Sequence, residues 1–287
     1  MGSRVLTPTL FDAATVSASS AAASLPASYL QNEQRQKVWR STSLAGQYIR
    51  IDLGAVELVD SLVLINHNLT VSGEVTIKAG TSPGDDSILS ETHNAWLPLW
   101  GFGDAGFGEH GYGGYPTDAE RATYYPAGPF RWLYLTAGQT RARYWEIDFS
   151  DAGNADGYIE LGRILIGTYQ ESTRKVGLGM RNRPEDPSKL YYSLGGQVWV
   201  DEKTKYRVAR VPFKATPGTE TWGLWYALFL ELGVGRSFAV DLLPDVSNVG
   251  MRLHNQFYGH IPEGGIPDIE VPFMDRGNLT LELRESL

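Results

Sequence analysis

The chain has 287 residues, a length typical of two domains, and its formal net charge of -8 comes with a sequence pI near 5.2. Because no run of Lys and Arg breaks this acidic balance, the composition argues against a nucleic-acid partner. The sequence contains no cysteine, which excludes disulfides, thiolate metal sites and thiol catalysis together.

The beginning of the chain is rich in Ala and Ser. Residues 9–24 are small and polar, unlike the apolar core of a signal peptide, and no window of the sequence is long enough to span a bilayer. We therefore expect a protein that is made and folded in a cytoplasm, without membrane insertion.

Two stretches share one design, a strand with period-2 alternation, a polar turn and a second strand. They are residues 47–67 and residues 143–169, in which Tyr48–Leu53 matches Tyr144–Phe149, and Leu62–Ile65 matches Arg163–Ile166. Alternation puts one row of side chains in a core and the other toward solvent. Each stretch is predicted to be a hairpin, and the two hairpins to open and close one β-sandwich.

A family resemblance begins just before the first of these stretches. A Pro-Ala-x-x-Leu segment, a Trp-Arg pair and a Tyr-Ile-x-Ile-Asp-Leu-Gly strand resemble the discoidin, or coagulation-factor C-type, family of galactose-binding-like jelly rolls. The matching positions are Pro26, Ala27, Leu30, Trp39, Arg40, Tyr48, Ile51, Asp52, Leu53 and Gly54. The resemblance covers residues 5–169 and implies a jelly roll, so we assign residues 1–169 to a first domain.

Many members of that family bind calcium through an Asp-Gly loop before the Trp-Arg pair. This chain has Gln31-Asn32-Glu33-Gln34 there, with one carboxylate and no Gly, too few hard oxygen ligands for calcium. We expect a plain surface turn, and we expect no metal and no cofactor.

The predicted first domain contains an unusually long loop at residues 81–130. Its aromatic residues, interleaved with glycines, are Trp96, Trp100, Phe102, Phe107, Tyr112, Tyr115, Tyr124 and Tyr125. Glycine gives reach and aromatic rings give contact area, so we predict a binding surface for a glycan or for a neighbouring subunit. The alternative is that the rings fold back to cap the sandwich.

The Gly101–Gly106 spacing fits a dinucleotide motif, but it lacks the flanking strand and helix.

After residue 169 the pattern changes. Residues 170–189 are charged and contain Pro, which is typical of a linker or arm, and residues 190–200 predict a hairpin around Gly195-Gly196. Residues 219–232 predict a helix capped by Thr219 or Thr221 and ended by Gly233. Its predicted buried stripe is Trp222, Trp225, Tyr226, Phe229 and Leu232.

The second half contains, in order, GGQVW at residues 195–199, RVARV at residues 207–211 with Phe213, the aromatic helix, and GRSF at residues 235–238 leading to DLLP at residues 241–244. This order resembles tailed-phage minor tail proteins of the tail tip or baseplate, in particular the distal-tail-like β domain that builds rings beneath the tail tube. The resemblance covers residues 170–287, of which 190–287 would form the domain. The chain is thus predicted to be mostly β, with an N-terminal jelly-roll sandwich followed by a smaller β-sandwich domain that carries one amphipathic helix.

The resemblances together imply a structural virion protein of a phage tail, made in the bacterial cytoplasm, forming a six-fold or three-fold ring. It would contact other tail proteins and host cell-surface carbohydrate. A stand-alone carbohydrate-binding module or host-receptor adhesin is the alternative. A glycan-active enzyme needs two rigidly placed carboxylates, which Asp104 and Glu109 on a glycine-rich loop do not provide, so we expect no catalytic residues.

Overall fold

The computed structural model describes residues 2–100, 114–177, 179–265, 268–273 and 275–287. The strands of the first half are β1 (Arg4–Leu6), β2 (Thr15–Ala18), β3 (Trp39–Arg40), β4 (Gln47–Val59), β5 (Ser61–His67), β6 (Glu74–Gly80), β7 (Leu89–Asn94), β8 (Phe130–Tyr134), β9 (Thr140–Ser150) and β10 (Glu160–Gly167). Those of the second half are β11 (Gln170–Glu171), β12 (Arg181–Glu185), β13 (Lys189–Tyr192), β14 (Val198–Asp201), β15 (Tyr206–Pro217), β16 (Ser237–Asp241), β17 (Gln256–His260), β18 (Glu270–Phe273) and β19 (Arg276–Glu285).

Helices form only a small part of the chain. They are α1 (Thr9–Asp12), a 3-10 turn (Ala27–Gln31), α2 (Asp118–Tyr124), α3 (Gly218–Glu220), a π-helical segment (Thr221–Tyr226), α4 (Ala227–Leu232) and α5 (Val249–His254). The mostly β prediction is confirmed. Within the described ranges, no helix has the length and apolar character needed to cross a bilayer.

The first half is a β-sandwich of two antiparallel sheets. One sheet has the strand order β2-β4-β9-β6-β7 and the other has the order β3-β10-β5-β8. Side chains that alternate along β4 and β9, such as Ile49, Ile51 and Ile147, are fully buried between the sheets. This is the layered core that the period-2 pattern predicts.

The predicted hairpins are wrong in their pairing, although the strands exist. The strand β4 pairs with β9, with Tyr48 opposite Asp148, whereas β5 pairs with β10, with Leu62 opposite Ile166. The turns after β4 and β9 therefore carry the chain from one sheet to the other. The two matching stretches pair with each other strand by strand, and each stretch contributes to both layers of the sandwich.

The second half is built on one large antiparallel sheet with the order β11-β1-β16-β17-β19-β15-β12, in which β18 also pairs with β19. Two predicted boundaries differ from this arrangement. The N-terminal strand β1 pairs with β16 rather than within the sandwich, and the predicted linker 170–189 contributes β11 and β12 to the sheet. The strands β1 and β11 have only three and two residues, and β12 contains Pro184, so none of them carries enough pattern to be assigned from local sequence.

The predicted hairpin at residues 190–200 is confirmed as β13 and β14. Leu190 lies opposite Val200, and Tyr192 lies opposite Val198. Among the described residues, β13 and β14 pair only with each other.

The helix predicted at residues 219–232 is continuous from Gly218 to Leu232, but its middle turn is π-helical. Trp225, Phe229 and Leu232 are buried as predicted, whereas Trp222 is 50% and Tyr226 is 44% exposed. The prediction was wrong for these two residues because the wider π-helical turn shifts the register on which α-helical spacing relies. Neither threonine caps the helix: Pro217 precedes its first residue, and the Thr221 hydroxyl donates to the Pro217 carbonyl at 3.0 Å.

Candidate functional site

The predicted aromatic surface is largely folded back onto the sandwich. Trp96 and Tyr125 are buried, while Trp100, Tyr115 and Tyr124 are partly buried and pack against the sandwich core. The Tyr115 hydroxyl accepts a hydrogen bond from the Asn94 amide at 2.9 Å. Phe102, Phe107 and Tyr112 lie outside the described residues, as do Asp104 and Glu109.

Around Trp96 the chain forms a pocket of about 250 Å³ at one end of the sandwich. Its lining comes from the end of β5, the segment after β7, the helix α2 and the turn before β8. The lining residues are His67, Asn68, Leu69, Trp96, Arg121, Tyr125 and Pro129. Residues distant in sequence thus converge on one small concave site, which is the usual form of a ligand pocket.

The local sequence explains how α2 reaches this place. Thr117 and Glu120 form a reciprocal capping box in which the Thr117 side chain accepts from the Glu120 amide and the Glu120 carboxylate accepts from the Thr117 amide. This motif fixes the first turn of the helix. Arg121 and Tyr125, one helical turn apart, therefore face the same side, toward Trp96.

Trp96 is held from several sides. Its indole N–H donates to the Leu69 carbonyl at 2.7 Å, and the guanidinium of Arg121 lies 4.5 Å from the centre of its ring. Tyr125 meets it edge to face at 5.4 Å between ring centres, and His67 does so at 5.1 Å. These contacts make the tryptophan a fixed wall of the pocket, and its faces are mostly covered.

His67 is the most unusual side chain of the pocket. It is fully buried at the end of β5, and within the described residues neither ring nitrogen has a hydrogen-bond partner. Burial first, and then the positive charges of Arg131 and Arg121, lower the pKa of His67 to about 3. The ring is therefore neutral at physiological pH, with one donor and one acceptor nitrogen. An unsatisfied buried polar group requires an explanation, and a ligand that fills the pocket is one.

The electrostatic character of the site is positive. Besides Arg121, the half-buried Arg131 donates to the carbonyl oxygens of Asn94 and Trp132 at 3.1 Å each, and loss of solvation lowers its pKa to about 10. Burial also raises the pKa of the Tyr125 phenol to about 12, which keeps it protonated. Among the described residues that line the pocket there is no Asp and no Glu, so this part of the lining offers no carboxylate pair for glycoside hydrolysis.

The segment of residues 31–34, predicted to be a plain surface turn, contacts the beginning of the chain. At the predicted surface turn, the Gln31 amide donates to the carbonyls of Phe11 and Ala14, each at 2.8 Å, so it braces the N-terminal segment. Among described residues, no group of three or more His, Asp or Glu could hold a metal ion.

Sequence reasoning missed His67 and Arg121. A signal for His67 was available, because it ends the apolar run LVLINH and shares its strand face with Val63 and Ile65, an apolar row in which a polar residue is unexpected. No comparable signal marks Arg121, whose position depends on how α2 packs on the sandwich.

Comparison with known proteins gives a likeness of fold only. No protein-family model matches the chain, and no curated protein matches it. Among solved structures, the CpGH89CBM32-5 module of Clostridium perfringens, in complex with GalNAc-β-1,3-galactose, is similar at 10% identity over 57% of this chain and 99% of its own, with a TM-score of 0.38.

Two further modules give similar figures. A chitosan-binding module from Paenibacillus sp. IK-5 is 18% identical over 54% of this chain and 96% of its own, with a TM-score of 0.36. The family 32 module of Clostridium perfringens NanJ, in complex with galactose, is 14% identical over 58% of this chain and 99% of its own, also with a TM-score of 0.36. At these values no ligand or activity transfers to this chain.

Proposed function

We propose that the first half of the chain is a non-catalytic saccharide-binding module whose site is the pocket between His67, Trp96 and Arg121. The observation that carries the proposal is the buried imidazole of His67, which lines the pocket without a hydrogen-bond partner among the described residues. Leaving such a group unsatisfied costs about 1–3 kcal/mol, and a bound hydroxyl would remove this cost.

The chemistry of the lining favours a sugar. A hydroxyl group both donates and accepts, and so it matches a neutral imidazole and a protonated phenol. At about 250 Å³ the pocket lies below the ~300–1,000 Å³ of sites for drug-sized ligands, so it suits one terminal sugar ring. The flanking arginines favour a saccharide that is neutral or acidic over one that is basic.

The test is a glycan array probed with the full chain, followed by calorimetric titration of the best ligand. His67→Leu keeps a side chain of moderate size and removes both ring nitrogens. Because those nitrogens have no partner in the described structure, the substitution should leave the fold intact while it weakens binding by about tenfold or more, the value of one lost hydrogen bond in a closed site.

His260→Leu is the matched control, because His260 lies on β17 of the other half of the chain, where its Nδ1 is 3.0 Å from the Ser286 hydroxyl. It should leave saccharide affinity unchanged. Absence of binding to any glycan, or binding that His67→Leu does not weaken, would contradict the proposal.

A second function is supported by a different observation, the exposed apolar hairpin β13–β14. We propose that the second half is an assembly domain, as the resemblance to tail-tip proteins implies, and that the chain is a ring-forming component of a phage tail located in the virion. Light scattering of the purified chain tests this role, since it requires a defined oligomer and a persistent monomer would contradict it.

A further inference from the structure

The hairpin β13–β14 exposes apolar side chains on both of its faces. Cross-strand register places Leu190, Tyr192, Val198 and Val200 on one face. Tyr191 and Trp199 are paired on the other face, and Leu194 lies at the tip of the turn. Tyr192 is 70% and Trp199 is 66% exposed, and Leu194 is fully exposed. The row of apolar residues that a sheet normally buries is here in solvent.

Such a hairpin is not expected to exist alone. A two-stranded hairpin is marginally stable in water and needs further strands or a packing partner. An aromatic side chain buries about 150–250 Å², so the three aromatic residues of this hairpin, each more than half exposed, present roughly 400 Å². With the aliphatic residues added, the apolar surface exceeds the few hundred Å² that a monomer normally exposes in one patch. Something therefore covers it.

The same half of the chain carries a second exposed apolar surface, which we call the helix face: Trp222, Tyr226 and Leu230. The rings of Trp222 and Tyr226 meet edge to face at 5.4 Å, and Leu230 is 72% exposed one turn further along α4. The opposite side of this helix is already buried in the core through Trp225 and Leu228. The helix face is thus surplus to the fold of its own domain.

We propose that the hairpin of one copy of the chain packs on the helix face of a second copy. This inference rests on the proposed assembly role and is independent of the saccharide pocket. When two copies exchange hairpins reciprocally, each copy buries one hairpin and one helix face, and these together approach the ~800 Å² per partner of a standard protein interface; a single contact of hairpin on helix face buries about half of that on each partner. Aromatic residues dominate both, as is typical of interface anchors. Because the two surfaces are different, successive contacts of this kind build a ring or a filament, and a reciprocal exchange builds a closed dimer.

The first experiment measures the oligomeric state of the full chain by sedimentation velocity over a range of concentrations. The wild type should be an oligomer. Tyr191→Ser with Trp199→Ser in the hairpin, and Trp222→Ser with Leu230→Ser in the helix face, should each raise the dissociation constant at least about 100-fold, since each variant removes two anchor residues.

The control is Val56→Ser, which removes an exposed apolar side chain from β4 of the sandwich and should leave the oligomer intact. Because all substituted positions are exposed, every variant should keep its fold. Circular dichroism and thermal melting check this. A wild type that is monomeric at all concentrations would overturn the inference. An oligomer that either double variant leaves unchanged would do so as well.

A second experiment uses the absence of cysteine in the natural sequence. Leu194→Cys and Leu230→Cys are prepared as separate single variants, mixed, and treated with a short bifunctional maleimide. The inferred contact predicts a covalent pair that contains one copy of each variant. The Val56→Cys variant, mixed with Leu194→Cys, should give no such pair, and equal yields from both mixtures would contradict the contact.

The glycan titration distinguishes the proposed interface between copies from the proposed saccharide site in the pocket. Hairpin and helix-face variants that are monomeric but retain saccharide affinity would support both proposals. Loss of oligomers in these variants without any saccharide binding by the wild type would support the interface and contradict the pocket.

Discussion

The Tyr134 hydroxyl donates a hydrogen bond of 2.9 Å to the Oδ2 atom of Asp241, and this bond joins β8 of the sandwich to β16 of the large sheet. Asp241 is fully buried, and its carboxylate also accepts from Arg252 and Gln256. Burial raises the pKa of Asp241, and burial together with the nearby carboxylate raises that of Tyr134. The two halves of the chain are therefore connected by a buried polar network as well as by apolar packing.

Tyr134→Phe should destabilise the protein by about 1.5–3 kcal/mol, because it removes one donor from a buried carboxylate. Tyr169→Phe is the matched control: Tyr169 packs edge to face on Tyr134 at 5.6 Å, and no hydrogen bond of its hydroxyl occurs within the described structure. Urea unfolding at pH 7 measures both variants. Equal midpoints for the two would show that the bond contributes nothing to stability.

The lowered pKa of His67 predicts acid sensitivity. A neutral ring is favoured in the fold, so its contribution to stability is fully present above the unfolded pKa of about 6.5 and is lost as the pH falls toward the folded value of about 3. Between pH 7 and pH 5 the loss from this group is about 2 kcal/mol.

His67→Leu should remove this part of the pH dependence. The pKa values of His93, His254 and His260 are also lowered, chiefly by burial, and they act in the same direction. For this reason the test compares the pH 7 to pH 5 difference in unfolding free energy between the wild type and the variant. Identical differences would mean that His67 does not titrate abnormally.

The π-helical turn predicts opposite outcomes for two tryptophans that are three residues apart. Trp225 is buried against Phe213 with 4.3 Å between ring centres, so Trp225→Ala should cost about 3–5 kcal/mol. Trp222 lies on the exposed helix face, and Trp222→Ala should change monomer stability by less than about 0.5 kcal/mol. Thermal melting of both variants, at a protein concentration at which the chain is monomeric, measures the difference. A similar loss of stability in both variants would show that Trp222 is buried like Trp225, as regular α-helical spacing predicts, and would contradict this account.

Much of the fold follows from local pattern. Alternation identified β4, β5, β9 and β10, and the Gly195-Gly196 turn identified the hairpin. The pairing of strands did not follow, because the chemistry of a turn is the same whether the chain returns within its own sheet or crosses to the facing one. The strand β1 was missed for a related reason: its three residues form a strand by pairing with β16, which is more than 230 positions away in the sequence.

The candidate site was predictable only in part. The aromatic content of the loop indicated that Trp96 matters, but composition cannot say whether a ring faces solvent or forms the wall of a pocket. His67 is important because it has no partner in the described structure, and the lack of a partner is a property of the packed structure. The exposure of Trp222 and Tyr226 was not predicted, because no feature of the sequence TWGLWY indicates a π-helical turn.

The central claim is that the neutral ring of His67 binds a saccharide hydroxyl. Its most direct test is to follow the nitrogen chemical shifts of this ring by NMR at pH 5 while the best ligand from the glycan array is added. The account predicts a neutral ring before addition, since its pKa is far below 5, and a shift of its ring nitrogens that saturates with the calorimetric affinity. A ring that is protonated at pH 5, or one whose signals do not move while the saccharide binds, would contradict it.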